Sequence, residues 1–428
     1  MRHIALDVHQ GFCQVAIRES GKTRQAGRVT TDRGALKLFA GSLAPTDEVV
    51  MEATGPAMGI ARIISPHVAR VVVVNAEEVR AISHARVKSD RFDARTLAEL
   101  LAAGMLGSVW VPDAQTQALR RRVARRAALV RQRTRAKNEV HAALSRSLLG
   151  HPPVSDLFGK KGRAWLAEQE FIAEEHETVD GCLRQVDFLD SEVAAIDGKL
   201  SEWAVSSEDA KRLMSIPGVA VGTAAALMAA IGDISRFPSA RELVAYLGLD
   251  PKVRQSGDEP ARHGRISKRG NAQARSVLVE AAWVALRQPG PMRAFGERIR
   301  ARKGAQVAAV AVARKLACLC WQLLATGEDY AFARPSHLRS KLRRAELDAG
   351  ASRLPTRHNG RISANETERD AEQRLVEQAE ASYRRLIADW QATGPAKNTG
   401  AGATNGHASS RPSKRQAARQ AQAQTPAL

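Results

Sequence analysis

"HIALDV", residues 3–8, sets an aspartate inside an apolar, β-branched run. A carboxylate buried without a partner is costly, so Asp7 needs a reason that the strand alone does not supply. Three more runs of strand composition follow: "CQVAIRE" (13–19), "EVVMEAT" (48–54) and "RVVVVN" (70–75). Helical periods occupy 32–43, 57–66 and 90–103. This alternation predicts a mixed or parallel sheet with helices on its faces.

Glu52 closes the run "VVMEATG" just before a glycine turn. If its strand neighbours the first one, Asp7 and Glu52 come together. "KSDRFDAR", residues 88–95, places Asp90 and Asp93 at i and i+3, on one face at the start of a helix. That helix can close over the pair. Four converging acids repel unless divalent cations fill the gap, and oxygen ligands of this kind suit Mg²⁺ or Mn²⁺. Two such ions can activate a nucleophile and steady the leaving oxygen at a phosphodiester. Taken singly, the acids have simpler uses: Asp90 and Asp93 can cap a helix N-terminus, and Glu52 can bond locally.

The surroundings favour an anionic partner. Among 428 residues, 65 Lys and Arg face 45 Asp and Glu, a net charge of +20. That balance points to a polyanion, with nucleic acid first. No run approaches the roughly 18 uninterrupted apolar residues of a membrane span. The opening "MRHIALDVHQ" carries an Asp and a His where a signal peptide needs apolar residues. A cytoplasmic, nucleoid-associated protein with no membrane partner is expected. Cys13, Cys182, Cys318 and Cys320 form no CxxC pair, which argues against zinc or a disulfide framework.

Length predicts two or three domains. The sheet domain takes residues 1–110. A helical arm takes 115–205: one helix over 115–149, then the break "GHPPVSDLFGKKG", then a second helix over about 166–205. The first contains "RRRVARRAALVRQRTRAK" (120–137), with nine basic residues and no acidic one. The second spaces Val179, Cys182, Val186, Leu189, Val193, Ile196, Leu200 and Trp203 by alternating threes and fours, a heptad seam. Such a stripe must be buried against the preceding helix or a second subunit; a coiled-coil arm contributing to dimerisation is the expectation. A compact helical domain follows at 208–327. Residues 335–428 read as a basic, largely disordered tail with one helix near 364–391.

Two motifs fall in the helical domain. In "LMSIPGVAVGTAAALMAAIGDISRF" (213–237), Ile216-Pro217-Gly218-Val219 makes a tight turn before a helix of small residues. Backbone N–H groups at such a start can meet a phosphate, as in a helix-hairpin-helix, with Gly218 at the contact. An ordinary helical hairpin is the alternative, and the IPGV wording favours the phosphate contact over it. In "GLDPKVRQSGDEPARHGRISKRGNAQAR" (248–275), Ser256 precedes a glycine among Arg254, Arg265, Lys268 and Arg269. A serine is a weak nucleophile until its proton is accepted and the attacked phosphate is stabilised. Arginines serve the second need. On these grounds alone Ser256 reads first as a turn residue, and Ser267 as an N-cap or a phosphate contact.

In this order the pieces resemble the DEDD-type transposases of bacterial insertion sequences, relatives of the Piv DNA invertases, understood as bridge-RNA-guided serine recombinases. The resemblance runs from about residue 3 to 327. "ALDVH" is similar to the first acidic motif through Asp7, "MEATGP" to the second through Glu52, and "KSDRFDARTLAELL" to the last through Asp90 and Asp93. "IPGV", "FPSARELVAYLGLDP", "QSG" and "GRISKRGN" are similar to successive signatures of the C-terminal transposase domain. The resemblance implies a RuvC-like N-terminal domain of RNase H-type fold, the coiled-coil arm and a mostly α transposase domain. It also implies that the acidic tetrad binds Mg²⁺ and that Ser256 forms a covalent link to DNA, in a composite site shared between subunits. The partners implied are donor and target DNA, a noncoding bridge RNA, and further copies of the chain, a dimer becoming a tetramer on DNA. Arg120, Arg121, Arg122, Arg125 and Arg126, with the basic faces of both domains, are the expected seats for nucleic-acid phosphates.

Two rival readings keep the same residues. In a RuvC-like structure-specific endonuclease, metal-activated water attacks and Ser256 is incidental. In a non-catalytic scaffold the chain only binds nucleic acid. An actin-like ATPase lacks its phosphate-binding glycine loop here.

Overall fold

A computed structural model describes residues 1–83, 89–257, 259–352 and 361–393. The chain opens with β1 (His3–Val8), β2 (Phe12–Glu19) and β3 (Lys22–Thr30), followed by α1 (Arg33–Gly41), β4 (Glu48–Glu52), α2 (Ala57–Ile64), β5 (Arg70–Val74), α3 (Ala76–Ser83) and α4 (Asp90–Ala102). The sheet order is β3-β2-β1-β4-β5. The pairs β1–β2 and β2–β3 are antiparallel, whereas β1–β4 and β4–β5 are parallel. A mixed sheet with helices on both faces is therefore present, an arrangement compatible with an RNase H-like fold.

Strand alternation sorts the sheet into two faces. Ile4, Leu6, Val49 and Met51 pack beneath α1 and α2 through Leu36, Ile60 and Ile64. Ala5, Ala16, Val50, Val72 and Val74 face α4 through Ala94, Leu97, Ala98 and Leu101. The two alanines let that helix lie close to the sheet. Burying Leu97 and Leu101 there contributes about 1.5–3 kcal/mol each. The edge strand β3 carries no apolar period and is mostly exposed, which is why only its neighbours are legible from composition.

The arm is α5 (Ala114–Arg146), α6 (Lys160–Ala167) and α7 (Ala173–Ser206). The long helices run antiparallel, as shown by Arg126–Asp197, Arg133–Asp190 and Arg146–Glu175 ion pairs, each at 2.5 Å. Val179, Cys182, Val186, Leu189, Val193 and Leu200 are buried within this one chain, and Ile196 and Trp203 are partly buried. Their partners include Leu129, Val140 and Leu144 of α5 and, near the base, α9. The seam's stripe is thus buried mainly against the preceding helix, one of the two placements its spacing allows.

The rest is mostly helical: α8 (Glu208–Met214), α9 (Val221–Ile231), α10 (Ala240–Tyr246), the ribbon β6 (Pro251–Arg254) and β7 (Arg262–Ile266), α11 (Ala272–Ala285), α12 (Pro291–Lys303), α13 (Ala305–Thr326), α14 (Pro335–Asp348) and α15 (Arg361–Thr393). One helix among the described residues, α13, is long and apolar enough to cross a membrane. It buries Val312, Leu316, Cys320 and Leu323 at the centre of this helical core.

Helix α15 lies where one helix is expected near 364–391, whereas α14 is helical in a stretch expected to be disordered. Buried Glu372 accepts hydrogen bonds from the Ser336 amide at 2.8 Å and from the Ser336 hydroxyl. Buried Glu380 accepts from the Gly290 amide at 2.8 Å and pairs with Arg293. These acids dock α14 and α15 on the core. The final thirty-odd residues lie outside the described ones.

Candidate active site: an acidic sheet edge and a serine ribbon

The register of β1 and β4 runs through Ala5↔Val50 and Leu6↔Met51. One further step puts Asp7 beside Glu52, with both residues on the face that Ala5 and Val50 turn toward α4. The first turn of that helix carries Asp90 and Asp93. Its N-cap is Ser89, whose hydroxyl accepts from the Phe92 amide at 3.3 Å, so the cap is supplied by neither aspartate. Asp7 Oδ2 lies 3.0 Å from His9 Nε2, which in turn lies 3.5 Å from Asp90 Oδ1. One ligand atom from each of Asp7, His9 and Asp90 falls within 4.8 Å of the others. Burial pushes the Asp7 carboxyl above its ordinary range. His9 pulls it down, and nearby Asp93 and Asp90 push it up again.

Such a concentration of hard oxygen donors is what a divalent cation requires. His9 adds a nitrogen that the reading of four acids omitted. The signal for it was available: His9 follows Asp7 by two residues, so an extended chain presents both on one side.

Ser256 belongs to a different unit. It sits exposed between β6 and β7, before Gly257 at φ +53°. Arg254, Arg265, Lys268 and Arg269 are likewise exposed along this ribbon. Ser267 is turned inward, its hydroxyl donating to Asp250 Oδ1 at 2.5 Å and anchoring the base of the ribbon. Two glycines hold that base against the core: a Cβ on Gly248 would lie 2.5 Å from Arg269 O, and one on Gly270 would lie 2.1 Å from Tyr246 O. Asp258 lies outside the described residues.

The IPGV turn joins α8 to α9. Gly218 has φ +84°, and a Cβ there would meet Ala281 O of α11 at 2.5 Å; only glycine fits that approach. Ala220, the N-cap of α9, provides no side-chain cap. The arm's arginines divide. Arg120 donates to Ala229 O at 2.6 Å and Ala230 O at 3.3 Å, closing the C-terminal end of α9, and lies over Trp110. Arg126 is held by Asp197. Arg121 and Arg122 are exposed, and Arg125, also exposed, lies 3.6 Å from Glu192. The run of positive charge therefore serves both helix docking and solvent.

Comparison with known proteins places this arrangement. Residues 4–148 match a DEDD transposase family of the IS110 type, and residues 210–297 match the transposase IS116/IS110/IS902 family. The chain is 31% identical over 299 residues to the transposase of insertion sequence element IS1111A from Coxiella burnetii, covering 66% of this chain and 79% of that one. It is 29% identical over 290 residues to the transposase of element IS1328 from Yersinia enterocolitica, covering 65% and 84%. With acids on a mixed sheet edge and both matched segments in the same order, the chain belongs to the IS110-type family of DEDD transposases, enzymes that cut and rejoin DNA.

Proposed function

We propose that the protein is an insertion-sequence recombinase that breaks and reseals DNA through Ser256, with Asp7, Glu52, Asp90 and Asp93 holding Mg²⁺ or Mn²⁺. The observation that supports this most is the meeting of Asp7, Asp90 and His9 at the sheet edge. Charge gathered around a half-buried Asp7 fits a divalent cation better than it fits an empty surface. When bound, the cation supplies positive charge to the phosphate under attack and to its leaving oxygen.

The chain's own residues do the rest. The Ser256 hydroxyl oxygen forms a bond to phosphorus as the bond to the sugar oxygen breaks. The hydroxyl proton ends on that leaving oxygen. Attack by another strand's hydroxyl reverses the step and restores serine, so the exchange needs no energy source. Arg254, Arg265, Lys268 and Arg269 on the ribbon hold DNA phosphates, the geometry for which guanidinium is suited. An exposed ribbon is also suited to reach the acidic edge of another copy, which gives a composite site in a dimer or tetramer.

Sequence choice falls to a noncoding bridge RNA in this reading, with its phosphates on Arg121, Arg122 and Arg125 of the arm. The enzyme then acts on the nucleoid in the cytoplasm. Strand transfer between donor and target DNA, reconstituted with the element's flanking noncoding RNA and Mg²⁺, tests the assignment. Activity should vanish in Asp93→Ala and in reactions lacking the RNA; full activity in either rejects the corresponding part.

A further inference from the structure

Helix α15 has one face docked on the chain, where Glu372, Val376 and Glu380 are buried. Beside that face runs a second stripe: Leu375, Ala379, Ser382, Leu386 and Trp390, in steps of four, three, four and four. This spacing keeps side chains on one side of a helix. Leu375, Leu386 and Trp390 are 65%, 64% and 65% exposed. Three large apolar side chains in line over about 22 Å of helix differ from singly scattered surface residues, and apolar surface with a polar rim marks contact with another molecule. The chain that follows cannot supply the cover, since residues 394–427 contain no Val, Leu, Ile, Met, Phe, Tyr or Trp. The helix also lies beyond both segments matched to the transposase families, so neither match accounts for it.

The order of residues along the stripe selects its occupant. Large side chains stand at both ends, and small Ala379 and Ser382 stand between them. Two copies of α15 running antiparallel about a two-fold axis near Ser382 bring Leu375 of each to Leu386 and Trp390 of the other. The small centre lets the two backbones approach. The charges agree with the same placement. Arg374 directly precedes Leu375 and Asp389 directly precedes Trp390, so both lie on one flank of the stripe. An antiparallel pair sets each Arg374 level with Asp389 of the partner subunit, twice by symmetry. A parallel pair sets every residue level with its own copy, which gives neither charge its opposite. We propose that the Leu375–Trp390 stripe of α15 is a self-pairing surface, on which a second copy of this chain docks its own α15 antiparallel in an isologous contact. One helix pair of this length falls at the low end of stable interfaces, which bury about 1,200–2,000 Å², so the contact is reversible.

The test is oxidative disulfide cross-linking of the full-length chain without DNA, with the unaltered chain and its four cysteines as the background. Ser382→Cys, near the two-fold axis, should cross-link to itself. Leu375→Cys mixed with Trp390→Cys should give a covalent dimer about tenfold faster than either variant alone, because pairing raises the local concentration of the two thiols. Leu375→Cys and Trp390→Cys that each cross-link to themselves as fast as to one another would overturn the antiparallel pairing. Cross-linking no faster than background at all three positions would mean that a different molecule, or solvent, meets the stripe, and would overturn it too. The charges give a second readout in the Ser382→Cys chain. Arg374→Asp should slow cross-linking, and adding Asp389→Arg should restore it; a double variant slower than the single one contradicts the proposed register. Neither readout involves DNA cleavage, so failure of the recombinase reading would leave this result standing.

Discussion

His9 and Asp7 are joined Nε2 to Oδ2 at 3.0 Å on the same side of an extended segment. Because His9 also approaches Asp90, its imidazole is placed to enter a cation's coordination alongside the carboxylates. Imidazole nitrogen favours transition metals over Mg²⁺. His9→Ala should therefore weaken Mn²⁺ binding by about tenfold or more while changing Mg²⁺ binding less, as measured by titration calorimetry. Equal losses for both ions would remove His9 from the site.

Asp7 trades stability for charge. Its folded carboxyl titrates above the unfolded value, chiefly through burial. The native state consequently binds the proton more tightly, and a penalty develops as pH rises past the unfolded value, complete above the folded one. In chelator at pH 7, Asp7→Asn should melt higher than the unaltered chain by about 2 °C or more. The difference should shrink as pH falls toward the ordinary aspartate range, about 3.9. Saturating Mg²⁺ should reverse the order, since ligand binding stabilises only the protein that binds it. A lower melting temperature for the variant in chelator would contradict this.

Much of this edge can be read in the sequence, since an acid within an apolar strand and a second at a strand end leave few readings. Short β-branched runs mark four of the five strands but do not fix the order in which they pair. Other features depend on partners far along the chain. Arg120 and Arg126 carry the same charge as Arg121 and Arg122, and only the nearby α9 carbonyls and Asp197 turn the first two inward. Lys341 looks like one more basic residue until the IPGV turn's carbonyls, over 120 positions away, surround it. Helix α14 was hidden because its apolar content is low and buried Glu372 does part of its docking.

Glu380 holds α15 in place. It is 4% exposed and serves the Gly290 amide, Arg293 and Arg384. Glu380→Ala leaves Arg293 without its buried partner, a loss of about 3 kcal/mol. Hydrogen exchange should show the amides of α15 losing protection while those of β1 and β4 keep it. Unchanged protection in α15 would mean that other contacts hold the helix.

Gly218 tests the turn itself. Its positive φ and the 2.5 Å approach to Ala281 O leave no room for a methyl group. Gly218→Ala should cost about 2 kcal/mol or more, seen as a lower denaturation midpoint. It should also weaken binding to duplex DNA if α9 meets the backbone. A midpoint equal to that of the unaltered chain would show that the turn relaxes freely.

The central claim is that Ser256 and the acidic edge act together on one phosphodiester. Trapping on denaturing gels, with labelled donor DNA, the bridge RNA and Mg²⁺, measures this most directly. A covalent protein–DNA band should form with the unaltered chain and disappear in Ser256→Ala, in Asp7→Ala and in chelator. A band that persists in Ser256→Ala would contradict the account.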